Sequence, residues 1–443
     1  MFKFAGQYLL RKKKATMKTI RLHIKRLGLI RNSIVEISPL MIFSGESGLG
    51  KSYVAILCHY FFHVWINEKR LSSFIKSQYA TQSIDFFNPP QNIEDSGVAL
   101  SFGKKDLEDW LAKDAIQYLV YMLGCGEMDA EISVQLPDDI GTDIIFKYER
   151  ELTGINNNED LYWKLSVMHL TSRFRQLGIQ DESPYSYVLR YALIAELFDA
   201  DFTALTMTLT LPPSRGSYFT EEITPKTGLF KNFIEGMRVL ESTSEIQEDI
   251  STDCVNLFQS LMEGNVRKDG DKYVYRTHGD DLPITAAASS IREMAPLQLL
   301  ITKRNIEKTA VLIEEPEAHL HPLKQRLIAD AIVAMAKFGA MMQITTHSDY
   351  FLRRINDLVR LHRIRQKKNV IEYQSLCDEL NLDPELTLNP EIIAAYYLER
   401  KEDGSVSILR QNVSNGIPFD TLKEINGKPL TDSTKLFEIS LED

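Results

Sequence analysis

The chain has 443 residues, 44% hydrophobic and 25% charged, which suits one large or two moderate cores and excludes a disordered composition. A formal net charge of −10 argues against a surface that coats nucleic acid throughout, and no apolar run reaches the roughly eighteen to twenty residues of a bilayer span, so no membrane partner is expected. Four scattered cysteines, Cys58, Cys125, Cys254 and Cys377, form no C-x-x-C pair and suggest neither a zinc site nor a disulfide framework, which fits a cytoplasmic protein.

Residues 1–16 carry Arg11-Lys12-Lys13-Lys14 without the small-residue cleavage site of a signal peptide, and read as an extension. An N-terminal lobe is expected over 17–153. It opens with two strands and continues with an apolar third, Leu40-Met41-Ile42-Phe43. Then Gly45, Glu46, Ser47, Gly48, Leu49, Gly50, Lys51 and Ser52 spell the whole G-x-x-x-x-G-K-[ST] pattern, followed by the helix-compatible Tyr53-Val54-Ala55-Ile56-Leu57. That context predicts a site for a nucleoside triphosphate. The glycines turn backbone N–H groups towards a β-phosphate, and the helix start adds a favourable dipole. Lys51 would neutralise the β/γ-phosphates, and Ser52 would place its hydroxyl on Mg²⁺. From chain position, the loop around Arg31-Asn32 is the candidate for contacting the base.

Strands at Val98 to Phe102, Ile132 to Val134 and Asp143 to Tyr148, with a helix near Leu107 to Leu123, make the lobe β-rich. Residues 154–280 read as a mainly helical insertion around one strand, Ala204 to Leu211. Glu241 to Glu248 read as exposed helix surface, and there is no sustained heptad. Residues 281–387 read as strands alternating with helices. The final segment, 388–443, is expected to hold a helix over Pro390 to Leu398 and a hairpin around Lys401-Glu402-Asp403-Gly404.

Within 281–387, Thr309-Ala310-Val311-Leu312-Ile313 delivers Glu314 and Glu315 to a strand end before Pro316. Neighbouring strand-end residues point in different directions, so Glu314 is the candidate metal-side acid and Glu315 the candidate general base for an attacking water. A second apolar strand presents Thr345-Thr346-His347-Ser348, making His347 a candidate sensor of the γ-phosphate. His319 and His321, at i, i+2 spacing beside Pro322, suit a turn better than a helical ligand pair, with a metal site there as the lesser alternative. The run Arg353-Arg354, Arg360, Arg363, Arg365, Lys367 and Lys368 is interleaved with apolar residues at helical spacing. Its polar face suits DNA backbone, an acidic partner or plain solvation.

Taken together, Glu314-Glu315-Pro316-Glu317-Ala318-His319-Leu320-His321-Pro322, Thr346-His347-Ser348 and the P-loop resemble the ABC-type ATPases of the RecF, SMC and OLD group, often called AAA-family ATPases. Leu22 to Ile30 and Val35 to Ile37 look like that group's opening strands, and Leu211-Pro212-Pro213-Ser214-Arg215-Gly216 resembles its Pro-x-x-Arg stretch. The resemblance implies an α/β P-loop NTPase fold with a β-rich N-terminal lobe and a helical middle insertion, and it implies ATP and Mg²⁺ as ligands. Arg215 becomes a candidate ATP-proximal or interface arginine.

Members work as head-to-tail dimers, which implies a homo-oligomer. Ala287-Ala288-Ser289-Ser290 resembles the signature that covers a partner's nucleotide, with Ser290 where the family has glycine. Glu314 stands where many members carry aspartate. Nothing resembles an attached nuclease module, so the resemblance implies a separate effector protein such as a nuclease, in a bacterial anti-phage system. A RecF-like DNA repair ATPase and a nucleotide-gated scaffold with little turnover are the alternatives.

Overall fold

A computed structural model describes residues 17–82, 96–153, 160–174, 184–198, 205–243, 252–270, 272–303, 306 and 309–418. The basic extension 1–16, Ala204, the stretch from Ser244 to Glu248 and the polar end of the tail lie outside the described residues.

The chain opens with β1 (Arg21–Leu27), β2 (Ile30–Glu36) and β3 (Leu40–Gly45), then α1 (Lys51–Ile66) and α2 (Glu68–Gln82). Next come β4 (Ser96–Gly103), α3 (Lys104–Leu123), β5 (Ala130–Gln135), β6 (Asp143–Thr153), β7 (Asp160–Val167), β8 (Leu170–Phe174) and α4 (Pro184–Phe198). The middle continues through β9 (Met207–Leu211), α5 (Gly228–Ser242), α6 (Thr252–Met262), β10 (Asn265–Asp269), β11 (Lys272–Thr277) and β12 (Asp280–Pro283). After these follow α7 (Ser289–Lys303), β13 (Thr309–Glu314), α8 (Pro322–Lys337), β14 (Met341–Thr345), α9 (Asp349–Lys367), α10 (Val370–Leu380), β15 (Ile393–Arg400) and β16 (Val406–Gln411).

Two compact units divide these elements. One draws on Met1–Ile20, Asn67–Leu107 and Leu136–Ala204. Its antiparallel sheet, in the order β4-β6-β7-β8, packs with α2 and α4 through rings such as Phe74, Phe102, Phe146 and Tyr185.

The other unit draws on Arg21–Ile66, Glu108–Gln135 and Leu205–Asp443. It holds a nine-stranded sheet, β5-β1-β2-β16-β15-β3-β14-β13-β9, and a three-stranded one, β10-β11-β12. Strands β15, β3, β14, β13 and β9 run parallel, whereas β1 pairs antiparallel with β2 and β5. Every residue of β3 and β13 is buried, as continuous apolar strands covered on both faces must be. Side chains alternate between the faces: Leu40, Ile42, Val311, Ile313, Met342 and Ile344 join the core with α5 to α10, while Gln343 faces α1 and bonds His59 at 2.7 Å. Helices thus cover both sides of a parallel sheet whose strand ends carry the three motifs.

Several expectations change. The described residues of 154–280 hold α4, α5 and α6, but strands beyond the one expected join them: β7, β8, β10 and β11, with β12 following from Asp280. Turn chemistry explains the difference: Asp269-Gly270 and His278-Gly279 sit where the chain reverses, with Gly270, His278 and Gly279 all at positive φ. Residues 390–398 are not a helix. After one short 3-10 turn, β15 enters the sheet between β3 and β16 with Ile393 to Leu398 all buried. A short apolar run reads alike for a buried strand and a buried helix, and here its β-branched and aromatic residues fill both faces of a sheet. The hairpin around Lys401 to Gly404 joins β15 to β16 as expected.

Candidate nucleotide site

Gly45 ends β3 at φ 130°, and a Cβ there would meet Leu398 O of β15 at 2.5 Å, so the first glycine of the motif is demanded by the neighbouring strand. Gly48 and Gly50 follow at φ 79° and 95°, left-handed values that let the loop fold over the start of α1. Lys51, only 7% exposed, donates from Nζ to Gly45 O at 2.9 Å and Glu46 O at 2.8 Å. Burial pulls its pKa down, while the carboxylates of Glu315, Glu317, Glu314 and Glu46 pull it back up. Burial is the larger effect, so the Lys51 pKa lies below the ordinary lysine value, with the four acids offsetting part of the shift. The β1-β2 turn lies beside the loop, since a Cβ on Gly50 would come 3.0 Å from Ile30 Cδ1. There Arg31 donates from Nη1 to Ile30 O at 2.8 Å and to Gly28 O.

The parallel register of β13 and β14 pairs Glu314 with Thr345, which brings the two acids and the histidine to one edge. Glu314 is 7% exposed, and burial raises its pKa against the pull of the neighbouring Ser52 hydroxyl. Its Oε1 is closed to solvent and has no hydrogen-bond partner among the described residues. An orphaned carboxylate oxygen beside a serine hydroxyl fits a hard divalent cation, which takes few protein ligands and keeps its waters. Among the described residues no group of three or more His, Cys, Asp or Glu side chains suits a metal ion, so such an ion would rest on Glu314, Ser52 and phosphate oxygens.

Glu315 adopts φ 48°, an uncommon value for a non-glycine residue and a form of strain that concentrates at functional sites. Its N–H donates to Thr345 O at 3.0 Å, and its Oε1 lies 3.3 Å from His347 Nε2. Each partner shifts the other: the His347 ring holds Glu315 below the usual carboxylate range, and Glu315 raises His347. The carboxylate stays ionised near neutral pH, as a base must. A cleft of about 490 Å³ opens here, lined among others by Glu46, His347, Tyr350 and Tyr397.

Two residues matter more than their sequence context indicated. Arg215 is wholly buried: Nε donates to Glu293 O at 2.9 Å, and Nη1 donates to Glu314 O at 3.0 Å and Pro212 O at 3.3 Å. It ties α7 to the acidic strand end from a buried position. Only its place in the Pro-x-x-Arg stretch marked it. Glu317, 6% exposed, accepts at Oε1 from Thr346 Oγ1 at 2.7 Å and from the His347 N–H at 3.1 Å.

The remaining candidates separate from this cluster. Ser289 and Ser290 begin α7, with Ser289 exposed, and neither is among the hydrogen-bond or ion-pair partners of Lys51, Glu314, Glu315 or His347 in the same chain. His321 caps α8, its Nδ1 accepting from Leu323 N at 3.4 Å, as a turn residue does. The basic run lies on α9 with Ile355, Leu358, Val359 and Leu361 buried, but many of its cations are engaged within the chain. Arg354 is buried against Asp330 at 2.6 Å, Arg363 donates to Ser414 O at 2.9 Å, and Arg365 pairs with Glu385 at 2.8 Å. Among the described residues no helix is long and apolar enough to cross a membrane.

Residues 222–352 match the family model for the AAA ATPase domain, a span that includes Glu314, Glu315 and His347 but not the P-loop. Among solved structures, the chain is similar to the SMC head domain from Thermotoga maritima, 11% identical with a TM-score of 0.33, over 90% of this chain and 100% of that one. It is also similar to the Smc head domain with an extended coiled coil bound to the C-terminal domain of ScpA, derived from Pyrococcus furiosus, 11% identical with a TM-score of 0.38, over 92% and 99%. No curated protein matches the chain. With a complete G-x-x-x-x-G-K-[ST] motif between β3 and α1, and the acids and histidine at the ends of adjacent parallel strands, the described fold is an α/β P-loop fold.

Proposed function

We propose that the chain binds and hydrolyses Mg-ATP, with the site built from Lys51, Ser52, Glu314, Glu315 and His347. The observation that carries this reading is the Glu315–His347 pair, an ionised carboxylate 3.3 Å from an imidazole, at the strand edge whose carboxylates also act on Lys51. Lys51 binds the β/γ-phosphates and the loop's N–H groups cradle them. Glu315 takes the proton from the attacking water, and His347 orients that carboxylate and faces the γ-phosphate. A bound Mg²⁺ supplies neutralisation of charge on the phosphate oxygens, with Ser52 and Glu314 to hold it.

Ser289 and Ser290 complete the site from a second copy in this reading, because they stand at a helix start, Ser289 exposed, and are not among the hydrogen-bond partners of their own Lys51. The chain then acts as at least a dimer, with ATP driving assembly and a separate effector such as a nuclease carrying the output, in anti-phage defence. This context rests on the resemblance of the Glu-Glu-Pro-Glu and Thr-His-Ser motifs. DNA binding by α9 draws less support, since Arg354, Arg363 and Arg365 are engaged internally.

The test is the solution mass of the Glu315→Gln protein with and without Mg-ATP. Removing the base traps any nucleotide-bound sandwich, so the mass is expected to double. A mass unchanged by saturating Mg-ATP contradicts the ATP-driven assembly.

A further inference from the structure

We infer that Glu317 is a positioning residue for His347: its carboxylate holds the Thr346 hydroxyl and the His347 backbone N–H, and so fixes where the His347 ring meets Glu315. This rests on the reading of the site as a hydrolase.

The two strand ends are laced together in two places. Glu315 N–H donates to Thr345 O at 3.0 Å, and two residues further on Glu317 Oε1 receives Thr346 Oγ1 at 2.7 Å and His347 N at 3.1 Å. Glu317 itself is locked in a tight turn in which Ala318 N–H donates to Glu315 O and Leu320 N–H to Glu317 O, both at 3.0 Å. The base and the histidine thus hang from one short loop. The network extends outward, because Ser348 N–H donates to Thr346 Oγ1 at 3.1 Å and Ser348 Oγ caps α9 by accepting from Phe351 N–H.

Direct chemistry by Glu317 fits poorly. Glu317 lines the cleft, but its Oε1 is spent on two donors and the residue is only 6% exposed. What the geometry needs from position 317 is an acceptor oxygen. The charge itself acts at longer range, on a ring faced also by Glu315 and Lys51. A glutamine supplies the same acceptor without the charge.

The experiment compares wild type with Glu317→Gln and Glu317→Ala in the full chain, measuring kcat and KM for Mg-ATP together with hydrogen exchange of the peptide that carries the His347 amide. Glu317→Ala should lower kcat by on the order of 100-fold, the cost of a misplacement near 1 Å, with KM within about threefold. Its His347 amide should exchange faster. Glu317→Gln should keep kcat within about threefold and keep the protection. A Gln variant as damaged as the Ala variant overturns the assignment, because charge rather than positioning is then at work. So does an Ala variant with unchanged kcat. If wild type shows no turnover, the hydrolase reading fails, and the exchange arm decides Glu317 alone: unchanged His347 protection in Glu317→Ala overturns it.

Discussion

Replacing Arg215 by methionine should destabilise the unit that holds the nine-stranded sheet by about 3–5 kcal/mol, the usual cost of removing one partner from a buried ion pair. The magnitude follows from what the guanidinium touches. It is wholly buried, three carbonyls accept from it, and Glu293 Oε2 lies 3.6 Å from Nε. Burial pulls its pKa down while Glu293, Glu317, Glu315 and Glu314 raise it, so it remains a cation. Without it Glu293, 5% exposed, keeps only the Gly216 N–H at 3.1 Å and becomes a buried charge without its counterion. Urea unfolding followed by tryptophan fluorescence reads the change, since Trp65 is fully buried in α1. A double-mutant cycle with Glu293→Gln should recover roughly 2 kcal/mol, because the second change neutralises the stranded acid. A single-variant cost below about 1 kcal/mol, or strict additivity in the cycle, refutes the argument that this pair is a structural tie.

Gly45→Ala should weaken nucleotide binding by more than about tenfold, since the added methyl meets Leu398 O at 2.5 Å and strains a residue at φ 130°; equilibrium binding of a fluorescent ATP analogue checks it. His59, wholly buried against Gln343, has its pKa lowered to about 4 by burial. A depressed histidine stabilises above its unfolded pKa near 6.5, and that contribution, on the order of 3 kcal/mol, is lost as pH falls towards about 4. Urea midpoints across that range should flatten in His59→Gln. His347 should titrate above 6.5 by NMR and fall in Glu315→Gln. The pair's contribution is present below 6.5 and lost as pH rises through the raised His347 value, and on the acid side it is lost as pH falls through the lowered Glu315 value.

Much of the site was legible because each piece is local. The P-loop must turn between one strand and one helix, and Glu314, Glu315 and His347 each end a short apolar strand, so spacing alone places them. What spacing could not place were partners remote in sequence. Arg215 finds Glu293 and Glu314 O only once α7 and β13 are packed, and Glu317 finds Thr346 across two strand ends. The same holds for β15. Ile393 to Leu398 carries no helical or strand period because both faces are covered, and only its pairing with β3 settles its conformation. The β10-β11-β12 meander, by contrast, is signalled locally by Asp269-Gly270, a turn cue that its helical neighbours obscure.

The central claim, that Glu315 is the base of an ATP-hydrolysing site, is tested most directly by single-turnover phosphate release from bound Mg-ATP in wild type and Glu315→Gln. The account predicts that the variant binds ATP as wild type does but releases phosphate at least about 100-fold more slowly, the lower bound of general-base contributions. Equal release rates with ATP bound would contradict it.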